Sequence, residues 1–86
     1  MQISVELALT PLQDDFEAPI KDFIRKLRSS GLRVMENPLS TQIYGEYDKV
    51  MDFLTEEVKE TFQASEHVLL TMKIVKGNRS DYAADF

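Results

Sequence analysis

Two adjacent hydroxyls, Ser40 and Thr41, open the run STQIYGEY, which then sets Gln42, Tyr44 and Glu46 at alternate positions. Hydroxyl and carboxamide groups both donate and accept hydrogen bonds, and a phenol adds a flat apolar ring with a polar tip. Gathered on one face, such residues can read a small polar ligand. The other candidate groups are acidic: Glu6, Asp14, Asp15, and Glu66 beside His67, the only histidine. With no cysteine in the chain there is no thiolate nucleophile and no thiolate metal site. His67 has no nucleophile partner in sight, and a metal set of His67 with Asp14, Asp15 and Glu66 would rest on one imidazole. The chemistry these residues suggest is recognition, without catalysis and without a metal or other cofactor.

Charge narrows the partner. The 86 residues carry a formal net charge of −5, which disfavours a nucleic-acid backbone and is compatible with a neutral or cationic small ligand. No stretch approaches the roughly 20 apolar residues that span a bilayer, and MQISVELALTPLQDDF has neither the basic start nor the apolar run of a signal peptide. The expectation is a cytoplasmic protein. One domain of this size buries only about 60% of its unfolded surface, so stability is marginal and self-association would offset it.

The elements that must position these residues follow from periodicity. Ile3, Val5, Leu7 and Leu9 alternate with polar residues from 2 to 10, a strand with one face on a core that Pro11 stops. Phe16, Ile20, Phe23, Ile24 and Leu27 recur at helical spacing, predicting a helix over 15–30 capped by Asp14 or Asp15 and ended at Gly31. Short strands are expected over 32–36 and 41–47, joined by the turn at Asn37–Pro38. A second helix over 48–64, capped by Asp48, carries Val50, Phe53, Leu54, Val58 and Phe62. A last strand over 67–76 is apolar enough to suggest a well-covered position, and residues 77–86 read as a loose tail to a single domain of residues 1–76.

Strand, helix, strand, strand, helix, strand is the order of an α+β ferredoxin-like split βαβ sandwich: four antiparallel strands with both helices on one face. In strand order 4-1-3-2 the first and third strands are neighbours. The expected register sets Thr10 opposite Ser40, Ala8 opposite Gln42 and Glu6 opposite Tyr44. Ser4, Glu6, Thr10, Ser40, Gln42, Tyr44 and Glu46 would then share the face turned away from the helices, uncovered within one chain. Thr41 would point to the helix side. Asp14 would lie on the same rim as Thr10, Ser40 and Thr41, where its carboxylate repels a phosphate from the nearby helix N-terminus.

Two segments, ALTPLQDDFEAPIKDFI and LSTQIYGEYDKVMDFL, resemble the small bacterial and archaeal thiamine-binding family. The likeness rests on Pro11, Asp14, Asp15 and Phe16 after the first strand, and on Ser40, Thr41 and Gly45 in the third. It implies a ferredoxin-like fold and a non-enzymatic protein that binds thiamine or its hydroxymethylpyrimidine moiety, in uptake or salvage. An aminopyrimidine presents ring-nitrogen acceptors and an exocyclic amino donor. On that resemblance Ser40, Thr41 and Gln42 supply hydroxyl and amide partners, Glu6 or Asp14 a carboxylate, Tyr44 a stacking surface and Thr10 a rim hydroxyl. The acylphosphatases share the fold but need a basic glycine-rich loop after the first strand, where this chain has TPLQDD. The remaining alternative is a regulatory module that dimerises through its sheet, although Ser4, Glu6, Gln42 and Tyr44 are polar for such a surface. A homodimer or homotetramer is expected on either reading.

Overall fold

A computed structural model describes residues 1–86. The elements are β1 (Gln2–Pro11), α1 (Glu17–Arg28), β2 (Arg33–Glu36), β3 (Thr41–Glu46), α2 (Tyr47–Ala64) and β4 (Val68–Lys76). They form one four-stranded sheet in the order β2-β3-β1-β4, antiparallel throughout. This is the α+β ferredoxin-like arrangement expected from the alternation and helical spacing.

The core lies between the sheet and the helices. Ile3, Val5 and Leu7 of β1 and Ile43 of β3 meet Phe23 and Leu27 of α1 and Val50 and Leu54 of α2. The stripes are shorter than the sequence suggests. Phe16 and Phe62 are exposed, and the inner face of α2 instead buries Glu57 and Thr61. Gly45 lets α2 come close to β3: a Cβ there would stand 3.3 Å from Leu32 and 3.4 Å from Val50.

The register differs from expectation by two residues. Glu6 pairs with Gln42 and Ser4 with Tyr44, and the β1–β3 ladder ends at Leu7–Thr41. A slip of two keeps every side chain on its expected face, because strand side chains alternate with period 2. Thr10 does not face Ser40; it pairs with Leu69 of β4. Pro11 does not stop the strand either, since β1 runs through it to pair with Val68. Beyond Leu7 the strand pairs with β4 alone, so at Pro11 it is an edge, where a proline is tolerated.

Neither expected helix cap forms. α1 starts at Glu17 behind Phe16, and no side chain bonds its first N–H groups. Asp14 and Asp15 belong to the preceding bend, in which Gln13 Nε2 donates to the Asp15 carbonyl at 2.8 Å. β3 runs straight into α2 with extended Glu46 at the junction, so Asp48 falls in the first turn and complements the helix dipole without capping. The Glu46 carboxylate instead takes the N-terminal ammonium at 2.9 and 3.1 Å.

β4 is not well covered. It is the sheet edge, and Leu69, Met72, Ile74 and Val75 are exposed along it. The start of the tail is not loose. Ser4 Oγ donates to the Gly77 carbonyl at 2.7 Å and accepts the Arg79 N–H at 2.8 Å. Ser4, Tyr44 and Ser80 are all buried, so the face turned from the helices is partly covered within one chain. Ser4→Ala strands one donor and one acceptor there and is expected to cost about 1–3 kcal/mol in a urea melt. A change below ~0.5 kcal/mol would mean the tail contributes nothing to folding.

Candidate functional site

The expected site residues divide between two hollows on opposite faces of the sheet. The first is a slot of about 260 Å³ on the helix side of the rim, between the ends of β1 and β3 and α1. Leu7, Leu9, Ile20, Phe23 and Ile24 make its apolar wall, and Pro38 and Leu39 of the β2–β3 turn close it. Thr10, Ser40, Thr41 and Asn37 supply its polar groups. The turn is shaped by Asn37, whose Oδ1 accepts the N–H groups of Leu39 at 2.9 Å and Ser40 at 3.0 Å. Asn37 N–H in turn donates to the Ser40 carbonyl at 3.1 Å, a compact loop that fixes where Ser40 stands.

Thr41 points to the helix side as expected from its parity with Ile43 and Leu7. It is only 7% exposed, and its hydroxyl makes no side-chain hydrogen bond within the chain. The residue is buried, but the hydroxyl oxygen itself is not sealed off, so it is open to a partner that enters the slot.

The second hollow, about 180 Å³, lies on the face turned from the helices and is lined by Glu6, Gln42 and Tyr44 together with Ser4, Lys73 and Arg79. Glu6 joins the two. Its Oε2 accepts from Ser40 Oγ at 3.0 Å, and Ser40 Oγ accepts from Gln42 Nε2 at 2.7 Å. Its Oε1 lies 3.8 Å from Lys73 Nζ, the residue opposite it on β4. Six of the seven expected residues line one hollow or the other, and Glu6, Ser40 and Gln42 are bonded to each other between them. Asp14 lines neither hollow.

Lys73 and Arg79 were not among the expected residues. Alternation along β4 puts Lys73 on the face of Glu6 once the edge register is known, but Arg79 reaches the face through a tail with no periodicity. A larger groove of about 640 Å³ runs between α1 and α2, lined almost wholly by polar side chains such as Asp15, Glu17, Lys21 and Arg25. Glu17 and Lys21 pair with each other at 3.5 Å along its α1 wall. Small-molecule sites are mostly apolar with a few placed polar groups, which describes the slot and not the groove.

A comparison with curated proteins finds no significant match. Among solved structures, a Streptococcus pneumoniae protein is 29% identical, with a TM-score of 0.82 over 91% of this chain and 89% of its own. A Thermotoga maritima protein provisionally assigned to thiamine biosynthesis or salvage is 24% identical, with a TM-score of 0.77 over 86% of this chain and 82% of its own. A Methanocaldococcus jannascii protein is 19% identical, at 0.73 over 90% and 81%. The last two likenesses carry the fold alone. The family model for thiamine-binding proteins matches residues 5–85. That match runs through the slot, the sheet-face hollow and the tail alike, and the chain belongs to the thiamine-binding protein family.

Proposed function

We propose that this protein binds thiamine, or its hydroxymethylpyrimidine moiety, without transforming it, in uptake or salvage, and that the pyrimidine ring enters the slot beside Ser40 and Thr41. The observation that carries this reading is the Thr41 hydroxyl, which has no partner within the chain and stands at the polar end of an apolar slot. A flat heteroaromatic stacks against Leu7, Phe23 and Ile24, and its ring nitrogens and amino group meet Thr10, Ser40, Thr41 and Asn37. At about 260 Å³ the slot is smaller than the roughly 300–1,000 Å³ of drug-sized sites, so it suits one ring and leaves the rest of a two-ring ligand outside. Glu6 and Gln42 act from behind by holding the Ser40 hydroxyl.

Calorimetric titration with thiamine, thiamine phosphates and hydroxymethylpyrimidine tests this directly. Hydroxymethylpyrimidine should bind, and thiamine should bind through the same ring. Heat from none of them would overturn the reading.

The protein acts as a homodimer or a dimer of dimers, with β4 as the interface. A nine-residue edge strand that exposes Leu69, Met72, Ile74 and Val75 is a template for pairing with a second copy. The tail's cover over Ser4 and Tyr44 favours edge pairing over face-to-face stacking. Light scattering at micromolar concentration should give a dimer or larger, and Ile74→Lys should shift it toward monomer, because a charge on an edge opposes pairing. A monomeric parent would sink the idea.

A further inference from the structure

We infer that the sheet-face hollow is an anion site in which Lys73 and Arg79 hold the phosphate group of free phosphate or of a phosphate monoester. The hollow lies across the sheet from the slot, and the inference is independent of what the slot binds.

Three charged side chains line it: Glu6, Lys73 and Arg79. Within a chain of net charge −5, this hollow is locally positive by one. Local charge decides at contact range, because charges farther away than the Debye length of about 8–10 Å are screened. Neither cation is fully engaged. Arg79 takes part in none of the chain's ion pairs, and Lys73 stands 3.8 Å from Glu6. The other Glu6 oxygen is already bonded to Ser40, so Lys73 has donors to spare.

Arg79 is also built into place. Gly77 adopts φ +101°, a conformation that favours glycine, and its N–H donates to the Gln2 carbonyl at 2.8 Å. Ser4, 7% exposed, then clamps the turn from both sides by donating to Gly77 and accepting from Arg79. Ser80 N–H donates to Asn78 Oδ1 at 3.0 Å, and Tyr82 N–H to the Arg79 carbonyl at 3.1 Å. Two of these five bonds use the Arg79 backbone itself, so the turn fixes the point from which its side chain departs. A planar guanidinium beside an ammonium matches the oxygens and double charge of a phosphate better than it matches a single carboxylate. Tyr44, also in the lining, offers a ring against which an aromatic ester can pack.

The test is a titration of the isotope-labelled full-length protein, followed by NMR at constant ionic strength, with inorganic phosphate in one arm and phenyl phosphate in the other. Saturable shifts of the Arg79 Nε–H and Ser4 amide signals are expected in at least one arm. Response to both probes makes free phosphate a sufficient ligand; response to phenyl phosphate alone makes the site one for esters. Arg79→Gln and Lys73→Ala should each weaken the response about fivefold. Glu6→Gln, which removes the competing carboxylate, should strengthen it. Because the Arg79 backbone bonds survive in Arg79→Gln, a spectrum that keeps its Ser4 and Tyr82 amide positions shows the variant folded. No saturable shift in either arm, or shifts that Arg79→Gln leaves unchanged, would overturn the inference. Thr41→Val serves as the separate control: it should leave phosphate binding intact whether or not the slot takes a pyrimidine.

Discussion

Replacing Ser40 with alanine and Thr41 with valine is expected to weaken hydroxymethylpyrimidine binding by about 1–3 kcal/mol for each hydroxyl lost, roughly 5- to 150-fold. The two residues act differently. Thr41 is buried and unpartnered, so Thr41→Val keeps the shape of the slot wall and removes only a hydrogen bond to the ligand. Ser40 is already bonded to Glu6 and Gln42, so Ser40→Ala removes a ligand partner and also frees the carboxylate behind it. Thr41→Val should therefore show a pure affinity loss. Ser40→Ala should add a changed response to Glu6→Gln, since the two share one network. The fold should survive both, because neither side chain belongs to the apolar core. Calorimetry on the folded variants decides the matter: parental affinity in the double variant would place the ligand elsewhere.

The architecture was legible because its signals are local and repeated. Ile3, Val5, Leu7 and Leu9 alternate, α1 and α2 carry stripes at helical spacing, and turn residues separate the elements. Face assignment survived a wrong register for the same reason. A two-residue slip returns Glu6, Gln42 and Tyr44 to the same side, although it separates Thr10 from Ser40. What local pattern could not supply was how far β1 outruns β3. β1 continues to Pro11 against β4, and that length depends on a partner strand almost sixty residues away in sequence.

The capping carboxylates failed for a related reason. Asp14 and Asp15 have the right chemistry, but the bend after Pro11 delays α1 to Glu17, beyond the reach of an N-cap bond. The cations of the sheet-face hollow were invisible for a different one. Arg79 is brought there by a bond between residues 75 apart, in a segment whose composition reads as loose. Long-range contacts made by single side chains leave no period in a sequence. The polar half of the rim could be read, and its positive half could not.

Lys26→Met should destabilise the protein by about 2–3 kcal/mol, below the roughly 3–5 kcal/mol of a fully buried pair because the Lys26 side chain is 31% exposed. Lys26 reaches from α1 across to α2, where its ammonium stands 3.4 Å from Glu57, 3.2 Å from Glu60 and 3.4 Å from Asp22 of its own helix. Glu57 is the unusual member. Its side chain is 8% exposed, and its Oε1 is buried with no hydrogen bond, so Lys26 compensates it through charge alone. Burial by itself would lower the Lys26 pKa, but the hydrogen bond to Glu60, the charge of Glu57 and the contact with Asp22 outweigh it and raise the value above that of a free lysine. A folded-state pKa raised above the unfolded one means stability that is complete below the unfolded value of 10.5 and is lost as pH climbs through the folded value. The parent should thus lose stability in strong alkali, and Lys26→Met should lack that alkaline component. In a domain this small, 2 kcal/mol corresponds to a fall in Tm of about 8–16 °C. Removing both charges with Lys26→Met and Glu57→Leu should recover most of the loss, since the cost lies in the stranded carboxylate and not in the missing attraction. Because Lys26 and Glu57 line neither the slot nor the sheet-face hollow, ligand affinity measured below the melting range should stay at the parental level in both variants. A single variant within ~0.5 kcal/mol of the parent would show that water, and not Lys26, satisfies Glu57.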